Sequence, residues 1–197
     1  MDTLKITAWN SNGLQQRALE TKTFLYNNNI DILLVSETHF TPKSYMKIPY
    51  YIIYNNKHRS GKAHGKAAVI IRNDIKHHLR SQISQGNVQA TTVTIQTNSN
   101  YFQMSAVHAP PRYKMTLQKW EQYFQSLGNK YITAGDFNAK HMLWGSRMKT
   151  PRVIKGLNAN KLKITPGLEL TSDHTPIIIE YTSKAILYKI QIRVALQ

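Results

Sequence analysis

The sequence predicts a mixed α/β layered sandwich, and three observations predict it. Strand-forming stretches outnumber helical ones. The helical patterns are interspersed among the strands rather than gathered at one end. One strand-length run, Ile30 to Val35, is almost continuously apolar, as expected of a strand covered on both faces.

Taken in order, Leu4 to Trp9 alternates apolar and polar residues and reads as a half-buried strand. Leu14, Ala18, Phe24 and Leu25 fit a short amphipathic helix that stops at Asn27-Asn28-Asn29. After the central strand, Tyr50 to Tyr54 is a further strand, followed by a basic, glycine-containing loop from Asn55 to Gly65. Ala67 to Arg72 reads as buried. Val88 to Thr97 and Tyr101 to His108 make a hairpin across Asn98-Ser99-Asn100, and Pro110-Pro111 ends its second arm. Thr116 caps a helix running to about Leu127, with Leu117, Trp120, Tyr123, Phe124 and Leu127 on one face. Gly128-Asn129 closes it ahead of a Tyr131 to Ala134 strand, and Ile177 to Tyr181 is the last clear strand. Residues 184 to 197 alternate weakly, which suits either an edge strand or an unstructured end.

With 197 residues the chain is long enough for one domain with a real core, expected over residues 1–181 with a tail at 182–197. No apolar stretch approaches the ~18 residues needed to span a bilayer, so no membrane association is expected. The N-terminus lacks the basic and apolar regions of a secretory signal. The absence of cysteine excludes disulfides and thiolate metal sites and fits an intracellular setting.

Charge is more telling. Twenty-six Lys and Arg against ten Asp and Glu give a net charge of +16, which favours a polyanionic partner, most often nucleic acid. The opposing reading is a protein merely kept soluble by positive charge, or one with a Lys/Asn-rich coding background. From Thr38 to Asn73, and again from Phe137 to Leu168, there is no acid at all while basic residues accumulate. Against that field Glu37, Asp136 and Asp173 stand out as candidate ligands or catalytic groups.

Those acids lie in three of four runs in which an apolar lead-in ends in polar chemistry: Ala8 to Gly13, Leu33 to His39, Tyr131 to His141 and Leu170 to His174. Asp136 and Asn138, two residues apart on extended backbone, face the same way. A carboxylate beside a carboxamide at a strand end suits metal-assisted attack on a phosphate. Mg²⁺ is usually held by one or two carboxylates with water and substrate phosphate. Glu37 is the best candidate ligand, because its strand is central and strand C-termini are where α/β sheets place their sites; Asn10 and Asp173 are further contributors. The bland readings are a cap or salt bridge at Glu37 and a simple turn at Gly135-Asp136-Phe137-Asn138. Asp173-His174 supplies a carboxylate and an imidazole side by side, able to take a proton from water or to stabilise a phosphorane oxyanion. There is no nucleophile elbow, no P-loop, and no zinc-ligand spacing among His58, His64, His77 and His78.

Several runs carry a family resemblance: Trp9-Asn10-Ser11-Asn12-Gly13, Ser36-Glu37-Thr38-His39, Ala109-Pro110-Pro111-Arg112, Gly135 to His141 with Trp144-Gly145-Ser146-Arg147, and Ser172 to Pro176. Together they resemble the apurinic/apyrimidinic-endonuclease-like domain of jockey-type non-LTR retrotransposons, within the endonuclease/exonuclease/phosphatase superfamily that includes DNase I. The likeness covers Leu4 to about Ile154 and about Ile164 to Glu180. It implies a four-layer α/β sandwich and Mg²⁺-dependent hydrolysis of a DNA phosphodiester, with Mn²⁺ as a substitute ion. The nick would leave a 3′-hydroxyl that primes reverse transcription. The resemblance implies metal binding at Asn10 and Glu37, water activation by Asp136, phosphate binding by Asn138, and a terminal acid–histidine pair in Asp173 and His174. It further implies DNA contacts at Asn12, Arg112, Lys140, His141 and Arg147. Its partners would be DNA and, through a reverse transcriptase, the element's RNA, acting as a monomeric domain in the nucleus.

The chain departs from the family pattern twice. His108 stands where a tyrosine commonly precedes the Pro-Pro pair, and would take its place as a donor. Between Arg152 and Ile164 relatives insert several tens of residues, including a helix, a strand and an acid that orients the terminal histidine, so one helix–strand segment is expected to be missing. Two alternatives therefore stand beside the endonuclease: a nucleic-acid-binding remnant without catalysis, and a phosphatase of small phosphoesters, which fits the motifs but not the charge.

Overall fold

A computed structural model describes residues 3–56, 65–97, 101–113, 115–137, 152–156, 162–167, 170, 172, 174–182 and 190–195. In chain order these are β1 (Thr3–Asn10), a 3₁₀ turn (Leu14–Arg17), α1 (Ala18–Asn27), β2 (Ile32–Ser36), β3 (Tyr51–Asn55), β4 (Ala67–Arg72) and β5 (His77–Ser84). Then come β6 (Gln89–Gln96), β7 (Tyr101–His108), α2 (Leu117–Ser126), β8 (Lys130–Asp136), β9 (Arg152–Gly156), β10 (Leu162–Pro166), β11 (Ile177–Thr182) and β12 (Ile190–Ala195).

The strands form two six-stranded sheets, ordered β10-β11-β1-β2-β4-β3 and β5-β6-β7-β8-β12-β9. Three apolar clusters show how they stack. Ile6, Ala8, Ile32, Leu34, Val69, Met104, Ala106, Ile132 and Ala134 fill the space between the sheets. Trp9, Leu14, Phe24, Leu25, Leu33, Val35 and Ile70 lie between the first sheet and α1. Val107, Tyr123, Leu127, Tyr131 and Phe137 lie between the second sheet and α2. Three interfaces separate four layers, helix–sheet–sheet–helix, in agreement with the fold class expected from the sequence.

β2 owes its uninterrupted apolar run to its place between β1 and β4, with every residue buried. α2 starts at Thr116, whose Oγ1 accepts the Lys119 N–H at 3.3 Å. It lays Trp120, Tyr123 and Phe124 over the second sheet, with Trp120 5.3 Å from Phe137 and Phe124 stacked on Tyr131. Beneath it Tyr123 Oη bonds Ser105 Oγ at 2.9 Å and Thr133 Oγ1 at 3.0 Å, and Ser105 meets Thr92 Oγ1 at 2.8 Å. One chain of hydroxyls thus ties β6, β7 and β8 to the helix. Burial pushes the Tyr123 phenol up to about 12, so the hydroxyl keeps its proton within this chain.

The structure adds strands where the sequence suggested none. His77–Ser84 is the edge strand β5. The stretch from Arg152 to Ile164, expected to be a mere shortened crossing, carries β9 and most of β10. Within the tail, where the sequence allowed an edge strand or an unstructured end, Ile190–Ala195 is an interior strand, parallel to β8 on one side and antiparallel to β9 on the other. Among the described residues no helix is long and apolar enough to cross a membrane.

Candidate metal centre

Side-chain alternation along four strands sends four polar residues to one place. On β1, Ile6 and Ala8 face the inter-sheet space while Trp9 faces α1, so Asn10 follows Ala8 inward. On β2, Ser36 follows Leu34; on β7, His108 follows Ala106; on β8, Asp136 follows Ala134. β1 and β2 run parallel with Asn10 opposite Ser36, and β7 and β8 run parallel with His108 opposite Asp136. The C-terminal ends of the two pairs therefore form one mouth between the sheets.

Three loops are laced together at that mouth by backbone bonds. Ser11 N donates to Ser36 O at 3.1 Å, Gly13 N to Glu37 O at 2.8 Å and Leu14 N to Thr38 O at 3.1 Å. On the other side His39 N donates to Gly65 O at 3.1 Å and Thr38 N to Lys66 O at 3.4 Å. The conformations needed are costly. Asn12, Glu37, His39 and Lys66 have φ of 43°, 54°, 54° and 78°, a region that costs a non-glycine residue about 1 kcal/mol or more. Gly65 has φ 66°, and a Cβ there would lie 2.7 Å from His108 Cδ2. At Gly135 a Cβ would come 1.9 Å from Val107 O, so only glycine lets β8 approach β7 just before Asp136.

Glu37, His108 and Asp136 each present a ligand atom, all within 4.8 Å of one another. His108 Nδ1 lies 4.0 Å from Glu37 Oε1 and 3.9 Å from Asp136 Oδ2. These distances exceed hydrogen-bond range. Burial pushes the His108 imidazole below its ordinary value of 6.5, opposed by Glu37 and reinforced by His39, which disfavours the charged ring an ion pair needs. Nδ1 is buried with no hydrogen-bond partner among the described residues, an arrangement that costs about 1–3 kcal/mol when nothing fills the gap. Two carboxylate oxygens around an orphaned imidazole nitrogen fit a divalent cation.

Asn10, 1% exposed, turns its Oδ1 toward the Asn12 N–H at 3.1 Å, leaving that oxygen's second lone pair for another partner. His174 is half-buried and reaches the same end of β1 through Ser172. Trp9 Nε1 donates to Ser172 Oγ at 2.7 Å and to His174 O at 3.2 Å, and Ser172 Oγ lies 3.0 Å from Asn10 O. Ser172 and Trp9, both inside the motif runs, received no role of their own from the sequence, and here they link Asn10 to His174. The signal was there: a buried indole N–H needs an acceptor. Asn12 and Arg112 lie exposed on the loops that follow β1 and β7. Asn138, Lys140, His141, Arg147 and Asp173 lie outside the described residues.

The model of the family described as Endonuclease/Exonuclease/phosphatase matches residues 7–172. The RNA-directed DNA polymerase from mobile element jockey of Drosophila melanogaster is 37% identical over 150 residues, covering 76% of this chain and 16% of that protein. Its namesake from Drosophila funebris is 30% identical over 216 residues, covering 90% and 24%. The chain thus spans a quarter or less of these relatives' length. The second alignment is longer than the whole 197-residue chain, so the relative contains residues that this chain lacks. Among solved structures, the endonuclease domain of TRAS1, a telomere-specific non-LTR retrotransposon, aligns with a TM-score of 0.66 at 14% identity, covering 93% of this chain and all of that one. TDP2 from C. elegans aligns with a TM-score of 0.56 at 13% identity, covering 92% and 75%. At such identities these two likenesses show a shared fold.

Proposed function

Because the chain belongs to the endonuclease/exonuclease/phosphatase family, with relatives among non-LTR retrotransposon proteins, we propose that it is a Mg²⁺-dependent DNA endonuclease domain. It would nick target DNA in the nucleus and leave a 3′-hydroxyl for reverse transcription. The observation that carries this reading is the Glu37–His108–Asp136 cluster at the mouth between the sheets, set in a chain of net charge +16.

Glu37 and Asp136 would hold the ion, with Asn10 one strand away. When bound, a divalent ion supplies Lewis-acid polarisation of a phosphoryl oxygen. Asp136, at the C-terminal end of β8, would accept a proton from the attacking water through the carboxylate oxygen that does not hold the ion. The Asn10 amide is oriented by its bond to the Asn12 backbone and presents its NH₂ to a phosphate oxygen. His174, held against β1 through Ser172 and Trp9, presents an imidazole to the same phosphate. The basic excess draws the DNA backbone in by neutralising phosphates.

The test is nicking of supercoiled plasmid in Mg²⁺ and in EDTA, with Glu37→Ala and His174→Ala alongside. Nicking that needs the metal and falls at least about a hundredfold in both variants, as loss of an acid–base or charge-stabilising group does, supports the proposal. Nicking that survives both substitutions removes the site assignment. The ends should be extendable by a DNA polymerase without phosphatase treatment. A second reading, a DNA-binding domain without catalysis, is favoured by the residues this chain lacks relative to its homologues. Metal-independent DNA binding with no nicking would select it.

A further inference from the structure

We propose that His108 Nδ1 is a direct metal ligand, making this a mixed nitrogen–oxygen centre that prefers a first-row transition ion such as Mn²⁺ or Co²⁺ over Mg²⁺. The inference deepens the nuclease reading by naming the ion class of the same site, and it rests on that reading only for the presence of a cation.

Placement comes first. β7 and β8 are parallel and in register at His108 and Asp136, so the imidazole and the carboxylate leave adjacent strands toward the same side. Glu37 reaches them from the other sheet. Nδ1 is aimed at both carboxylates at 3.9 and 4.0 Å, is walled off from solvent, and has no partner among the described residues. Gly65 presses on the far side of the ring, where a Cβ would lie 2.8 Å from Nε2. The ring therefore has little freedom to turn Nδ1 away.

Ligand chemistry then names the ion. Carboxylate oxygens alone suit Mg²⁺, which favours oxygen and dehydrates reluctantly. An imidazole nitrogen adds affinity for Mn²⁺, Co²⁺ and Zn²⁺ in rising order toward the end of the row. Two ligand atoms each roughly 2.1 Å from one ion sit about 3–3.5 Å apart at tetrahedral or octahedral angles. The 3.9 and 4.0 Å separations need to close by about 0.5–1 Å to reach that spacing, and Glu37, with its side chain 24% exposed, has room to move. A phenol at position 108 would offer no comparable nitrogen. The His39 imidazole, close enough to lower the His108 pKa, is a competing nitrogen.

The experiment uses the intact chain stripped of metal and reloaded with Mn²⁺, read by pulsed electron paramagnetic resonance. A directly bound imidazole produces ¹⁴N hyperfine coupling, which should be present in the wild type, persist in His39→Ala and vanish in His108→Asn. Equilibrium dialysis should show Co²⁺ binding weakened about tenfold or more in His108→Asn, at least the loss seen on removing an outer-shell partner, while Mg²⁺ binding changes less than about twofold. Absence of nitrogen coupling in the wild type overturns the inference whatever the variants do. So does an equal loss of Co²⁺ and Mg²⁺, which marks a structural role for the ring. If coupling and its loss are seen but no plasmid is nicked, the nuclease reading falls and the nitrogen–oxygen centre stands. If nicking proceeds without nitrogen coupling, this inference alone falls.

Discussion

Position 37 pairs a strained backbone with a charged side chain. A residue at φ 54° is most at ease as glycine or asparagine, yet a glutamate sits there. We expect Glu37→Asn to melt in EDTA no lower than the wild type, because the replacement tolerates the left-handed region, while losing the thermal shift that Mn²⁺ confers. A lower melting temperature in EDTA would mean that the carboxylate is structural. His108 has a pH signature of its own. Its folded-state pKa lies below the ordinary 6.5 because of burial. The unfolded chain therefore binds a proton first as pH falls below 6.5, and stability declines on acidification. In EDTA the loss between neutral pH and pH 5 should be steeper in wild type than in His108→Asn; equal slopes would show that the ring is not held neutral. At this scale the acids were legible because an acid in a basic field invites a functional explanation. The orphaned state of Nδ1 was not, since it depends on Glu37 arriving from the opposite sheet.

Among the elements, α2 is held by more than apolar contact. Tyr123→Phe removes one hydroxyl from the chain linking Thr92, Ser105 and Thr133 and should cost about 1 kcal/mol, measured by urea denaturation. No cost would mean that Ser105 and Thr133 satisfy each other without it. β2 and β4 were readable because burial on both faces imposes a long apolar run, and β7 as the second arm of a hairpin. β5 escaped because His77-His78-Leu79-Arg80-Ser81-Gln82-Ile83-Ser84 is an exposed edge with few apolar residues to mark it. β9, β10 and β12 escaped for another reason. Five or six residues carry a weak period, and which of them pair is decided by strands far away in sequence. The helix cap at Thr116 was signalled by residue type, but at Gly135 the sequence suggested only a strand end or a turn, and the pairing with Val107 explains the glycine.

For the molecule as a whole, charge sets the mode of DNA engagement. With a net charge of +16, binding to random-sequence duplex should fall linearly in a log–log plot against salt, with a slope of about −0.9 per phosphate neutralised. A salt-independent affinity would remove DNA as the partner. The layered α/β sandwich was accessible from the order of strand-like and helix-like segments and its four layers only from the family resemblance, whereas the way each sheet closes was not. β1 occupies an inner place in the first sheet, with one edge on β2 and the other on β11. During synthesis at roughly 5–20 residues per second, that second edge waits on the order of ten seconds or more for Ile177–Thr182 to leave the ribosome. An open strand edge is a template for pairing with another chain. Nascent copies emerging side by side on one polysome are thus exposed to mispairing at the first strand, and slower translation would lengthen that hazard.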